Sequence, residues 1–140
     1  MAKCGKDCPA CPYVKTRQEI KISDTETWNI NRKFTCETYN CIYMLECTKC
    51  SNRYIGETSR MLKARLSDHR GYINNTVVNL TTGDHFNQPG HSLANLKVSI
   101  LEQVRIEDDS YRREREKYFI NKFNTFYNGL NREKWVGRGF

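Results

Sequence analysis

The spacing of its cysteines constrains this chain more than any other feature. Cys4, Cys8 and Cys11 crowd one short N-terminal stretch, and Cys47 and Cys50 form a CxxC pair. Such spacing either closes disulfides or holds a metal, and the two belong to different redox compartments. Seven cysteines would leave a pure disulfide framework with one thiol over. No apolar leader stands near the N-terminus, and no apolar run is long enough to cross a bilayer. A reducing intracellular setting, metal ligation and no membrane are therefore expected. Structural zinc takes four Cys or His ligands in a tetrahedron. Cys47, Cys50, His85 and His91 supply one Cys2His2 set; Cys4, Cys8, Cys11 and Cys36 supply a Cys4 set. Spacing alone leaves Cys41 as an alternative to Cys36. Two structural zinc ions are expected, with His69 outside both sets.

Hydrophobic periodicity gives the remaining frame. The chain of 140 residues suits one domain, and 38% hydrophobic with 28% charged residues is a globular balance. Ile20, Ile22, Trp28, Ile30 and Phe34 alternate about a turn at Ser23 to Thr25, which predicts a hairpin. Apolar runs over 39–45 and 53–57 predict two strands flanking CTKC, in a register setting Tyr43 opposite Tyr54 and Cys47 opposite Cys50. Leu62, Leu66, His69 and Ile73 predict a helix over 60–74, capped by Thr58 or Ser59. Residues 76–92 read as polar and irregular, and 96–104 as a strand. A helix is predicted over 110–127, capped by Ser110, with Glu116 facing its apolar stripe and Asn128-Gly129 ending it. The whole predicts a mixed α/β fold: a small, mainly antiparallel three-stranded central sheet flanked by helices, with an N-terminal zinc-stapled β segment.

Several residues in this frame can carry chemistry. Tyr43 and Tyr54 share a sheet face, Arg65 and His69 share a helix face at i and i+4, and Glu116 meets an apolar surface. A carboxylate there needs a partner, either a divalent cation or an arginine such as Arg65 or Arg113. The formal net charge of +7 suits a polyanion, with nucleic acid favoured over an acidic membrane surface. Arg60, Lys63 and Arg70, on or beside the first helix, are candidate phosphate contacts.

Cys41-Ile42-Tyr43 followed by Tyr54-Ile55-Gly56 resembles the paired motif of GIY-YIG endonucleases, with Cys for the first Gly. The resemblance runs over roughly 39–131 through Arg65, His69, Glu116 and Asn131. It implies hydrolysis of DNA phosphodiester bonds with one Mg²⁺ or Mn²⁺ ion bound by Glu116. Tyr54 or Tyr43 would orient or deprotonate the attacking water, and Arg65 would stabilise the phosphate. His69 would relay a proton or hold a tyrosine hydroxyl, and Asn131 would position the last turn or the water. CTKC, YIGET and HFNQPGH make the chain similar to the endonuclease of Penelope-like retroelements. That likeness implies nicking of target DNA in the nucleus, by a domain that belongs to or derives from a larger reverse-transcriptase polyprotein. The expected organisation is a Cys-rich zinc-binding segment over 1–38, the endonuclease with its internal CCHH site over 39–131, and a basic tail over 132–140. The rival expectations are a zinc-containing DNA-binding module without catalysis and a structural zinc protein that joins other proteins.

Overall fold

The computed structural model of the chain describes residues 1–5, 7–76 and 81–132. The expected basic tail lies outside the described residues, apart from Arg132, which pairs with Asp84. Two short strands, β1 (Glu19–Lys21) and β2 (Thr27–Asn29), form the expected hairpin, with Ile20 opposite Trp28. The central sheet follows, from β3 (Cys41–Cys47), β4 (Arg53–Thr58) and, beyond two helices, β5 (Leu96–Gln103). Its order is β4-β3-β5, antiparallel throughout. β3 is buried along its whole length because both edges are paired. Its single charge, Glu46, is matched by Arg17 and by Arg53 at 3.1 Å, which removes the cost of holding a bare carboxylate there.

The β3–β4 register differs from expectation. Tyr43 stands opposite Gly56, and Tyr54 opposite Leu45. The slip is two residues, so it preserves the side-chain alternation and keeps both tyrosines on one face. On the other edge, the β3–β5 ladder is irregular between Ile42 and Tyr43. The carbonyl of Leu101, beside that irregularity, accepts the indole N–H of Trp28 at 3.0 Å. Trp28 also meets Phe119 edge-on, at 4.9 Å between centroids. The N-terminal segment is thus docked on β5 and the last helix, with Val14 bridging Val98.

α1 (Leu62–Asn74) starts later than predicted, and neither Thr58 nor Ser59 caps it. The Thr58 hydroxyl instead accepts Arg60 N–H at 3.1 Å. Backbone carbonyls from upstream serve the helix: Thr38 takes Leu62 N–H and Cys36 takes Lys63 N–H, both at 2.8 Å. Open helical N–H groups need an acceptor, and here a distant strand approach supplies it. The stretch read as irregular contains α2 (Thr81–Phe86), tied to α1 by Asn87 Nδ2 donating to Ile73 O at 3.0 Å.

α3 (Asp109–Phe123) is capped by Asp108, whose carboxylate accepts Ser110 and Tyr111 N–H; Ser110 is not the cap. It ends at Asn124, which takes a left-handed conformation at φ 54°, short of Asn128-Gly129. Asparagine tolerates this geometry better than most residues, so it serves as the stop. No helix among the described residues is long and apolar enough to cross a membrane.

Candidate active site

Alternation on β3 and β4 and the i, i+4 spacing on α1 bring four predicted residues together. The Tyr43 hydroxyl lies 2.8 Å from His69 Nε2 and accepts Arg65 Nε–H at 3.2 Å. The Tyr54 ring lies against His69, 5.7 Å between centroids. Tyr43 and His69 are almost sealed from solvent, at 1% and 2% exposure, whereas Tyr54 is only half-buried. Gly56 opposite Tyr43 explains the YIG glycine. Any Cβ there would overlap the Tyr43 ring and hydroxyl, so only glycine leaves the ring its place.

Electrostatics fix the protonation of this pair. Burial pushes the Tyr43 phenol well above its ordinary value, with Tyr54 and Glu116 adding and Arg65 opposing. His69 is brought down to about 3, chiefly by burial and then by Arg65, against a weaker pull from Asp68. At neutral pH the site therefore holds a protonated phenol beside a neutral imidazole. Arg65 also donates to Asp68 at 3.3 Å and to the Tyr72 hydroxyl at 3.4 Å, so its guanidinium is held from several sides.

Glu116 is 8% exposed on the face of α3 that buries Phe119, Ile120 and Phe123. That face of α3 packs against β4 and β3, the strands that carry Tyr54 and Tyr43. Asn131 sits differently from its motif companions. Its amide donates to Ile55 O and accepts Ile55 N–H, both at 2.9 Å, so it satisfies the free edge of β4 as a neighbouring strand would. Arg60 pairs with Asp68, Lys63 with Glu37 at 3.2 Å, and Arg70 lies over the Tyr13 ring at 5.6 Å.

Residues 39–131 match the family model described as the GIY-YIG catalytic domain. The chain belongs to the GIY-YIG family. Two solved structures share this nuclease fold. One, a mutant form of the catalytic domain of the intron endonuclease I-TevI, has a TM-score of 0.58 at 22% identity, covering 68% of this chain and 94% of that one. The other, the catalytic domain of the homing endonuclease I-TevI, has a TM-score of 0.55 at 25% identity, covering 65% and 95%. No curated protein sequence matches the chain.

Both cysteine sets assemble. The ligand atoms of Cys4, Cys8, Cys11 and Cys36 lie within 4.8 Å of one another, as do those of Cys47, Cys50, His85 and His91. In the first set the sulfur separations are 3.4 Å for Cys4–Cys11 and Cys8–Cys36, and 3.8 Å for Cys11–Cys36. A tetrahedron of thiolates around zinc has edges of about 3.8 Å, so the donors fit that ion. Cys36 rather than Cys41 completes the set. Cys41 is buried on β3, and burial pushes its thiol up to about 12. In the second set Cys50 Sγ lies 3.4 Å from His85 Nε2. His91 Nε2 is buried without a hydrogen-bond partner, as a nitrogen reserved for a metal would be.

Sequence reasoning missed Thr82, whose hydroxyl lies 2.9 Å from His69 Nδ1. It also missed Asp68 and Tyr72 as supports of Arg65. Asp68 stands three residues after Arg65, an i, i+3 spacing that could have revealed it. Thr82 had no such signal.

Proposed function

We propose that this GIY-YIG domain is a metal-dependent endonuclease that hydrolyses DNA phosphodiester bonds. One observation carries the reading: Tyr43, Tyr54, Arg65 and His69 converge on one sheet face, and α3 packs its buried face, with Glu116 on it, against the same two strands. Glu116 offers a hard oxygen donor, which suits a cation completed by phosphate and water. A Mg²⁺ or Mn²⁺ ion bound there supplies Lewis-acid stabilisation of the phosphoryl and leaving oxygens. Arg65 binds the phosphate and stabilises its developing charge. Tyr54, the more open phenol, orients the attacking water. Tyr43 and His69, closed to solvent, hold Arg65 in place. Asn131 anchors the last turn on β4.

Zinc in the Cys4 and Cys2His2 sets is structural. Arg60 and Lys63, both with solvent-accessible side chains, supply phosphate contacts together with Arg70. DNA affinity should therefore fall steeply with salt. The Cys2His2 set inside the nuclease domain, with the Cys-rich segment upstream, supports an origin in a Penelope-like retroelement. In that setting the domain nicks nuclear target DNA as part of a larger reverse-transcriptase polyprotein.

The deciding experiment is nicking of supercoiled plasmid with Mg²⁺, with Mn²⁺ and with EDTA. Relaxed plasmid with either metal, and none with EDTA, is expected. Tight DNA binding without cutting under any divalent metal would instead establish a DNA-binding module.

A further inference from the structure

The hydrogen bonds around Tyr43 can run in two directions, and donor strength favours one: a phenol is a stronger donor than the aliphatic Thr82 hydroxyl, so it is the better partner for an imidazole nitrogen acceptor. Arg65 Nε can only donate, so the Tyr43 oxygen must accept from it. The Tyr43 hydroxyl proton then needs an acceptor, and His69 Nε2 at 2.8 Å is placed to be one. That requires the imidazole proton on Nδ1, where it faces the Thr82 hydroxyl at 2.9 Å. The opposite arrangement, with the proton on Nε2, would give the Tyr43 oxygen two donors and turn its own proton away from His69. Tyr43, His69 and Thr82 are each no more than 2% exposed, so water does not substitute readily for a lost partner.

Resting on the nuclease reading above, we propose that Thr82 is a positioning residue for phosphodiester cleavage. Its hydroxyl accepts the His69 Nδ1 proton and thereby fixes Tyr43 as donor to His69 and acceptor from Arg65. Thr82 touches neither phosphate nor metal in this scheme. It acts through His69 and Tyr43 on the orientation of Arg65. The neutral state of His69, held down to about 3 chiefly by its burial, agrees with a ring that carries one proton and makes two hydrogen bonds. The placement of Thr82 depends on α2, six residues long and bound to α1 through Asn87.

The test compares wild type with Thr82→Val, which keeps the shape and removes the hydroxyl, and with Thr82→Ser, which keeps the hydroxyl. All three are made as the full chain with matched zinc content. Two quantities are read: the plasmid-nicking rate at saturating DNA with Mg²⁺, and the His69 tautomer from ring ¹⁵N chemical shifts. The wild-type ring should carry its proton on Nδ1. Thr82→Val should shift the tautomer toward Nε2 and lower the maximal rate roughly ten- to a hundredfold, with little change in KM. Thr82→Ser should restore both. An unchanged His69 tautomer in folded Thr82→Val would overturn the proposal. So would a shifted tautomer with a wild-type rate, because Thr82 would then set the ring without affecting cleavage. A wild type that cuts nothing with any divalent metal would defeat the nuclease reading and the cleavage role together. The spectra would then identify that failure separately, by showing whether Thr82 still sets the imidazole.

Discussion

The hydrogen-bonded chain around Tyr43 and the two cysteine clusters both gather polar groups, yet they are satisfied in different ways. Around Tyr43 the polar groups of the protein bond to one another, from Arg65 through Tyr43 and His69 to Thr82. The clusters instead gather like groups. Four cysteine sulfurs crowd together at the N-terminus, and burial with neighbouring thiols pushes Cys36 well above its ordinary value. Such a set gains its stability from a cation that draws the protons off. Fold and chemistry should therefore fail separately: removing a cluster ligand should damage the fold, and removing the Glu116 carboxylate should damage cleavage alone.

The largest effect expected is on the Cys2His2 set. Cys47→Ala should lose one zinc ion and unfold much of the domain, since structural zinc binding can be worth about 10–16 kcal/mol. Elemental analysis with thermal unfolding checks this; a well-folded variant that retains two zinc ions would end the contrast. Next comes Glu116→Gln, which removes charge but little volume. Nicking should fall about a thousandfold or more, because the metal contributes several kcal/mol at the transition state. Zinc content and unfolding temperature should stay at the wild-type level. A variant cutting at full rate would show that Glu116 does not hold the catalytic ion.

A smaller effect separates two buried cysteines. Cys36→Ala should lose the N-terminal zinc, whereas Cys41→Ala should keep both ions and cost about 1 kcal/mol from lost packing. Equal zinc loss in the two variants would contradict the ligand set. The smallest effect expected is in pH dependence. The folded His69 sits at about 3, below its unfolded value of about 6.5. The unfolded chain therefore binds the extra proton first. Stability from burying neutral His69 is complete above about pH 6.5 and is lost as pH falls toward 3. The stability difference between wild type and His69→Gln should shrink by roughly 1 kcal/mol from pH 6.5 to 5.5. A difference that grows on acidification would mean the ring is charged in the folded protein.

The reach of the sequence can be seen in Tyr43. Its face on the sheet was readable from strand alternation even though its partner was misplaced, because a two-residue slip leaves every side chain on the same face. Arg65 and His69 were readable because i, i+4 spacing is local. The cysteine sets were readable because a CxxC turn holds two ligands on its own and zinc demands two more. What escaped depends on distant chain segments. The start of α1 is set by the carbonyls of Thr38 and Cys36, which no local cap signal reports. α2 spans too few residues to show a helical period, so Thr82 stayed hidden in a polar stretch. Asn131, expected to position the last turn or the water, has its amide bonded to the Ile55 backbone of β4.

The position of the Cys2His2 set also bears on how the chain finds its fold. β3 pairs with β5 so that Cys47 meets Leu96, and all of β4, α1 and α2 lies in the loop between them. Closing a long loop costs chain entropy before the pairing returns anything, which slows folding. Cys47 and Cys50 stand at one end of that loop, and His85 and His91 shortly before its other end. An ion held by all four would tie the ends together first. The third strand would then have only the few residues after His91 to traverse, and a distant pairing would become a nearby one. Zinc supplied during refolding should for this reason raise the folding rate, beyond slowing the unfolding of the finished protein.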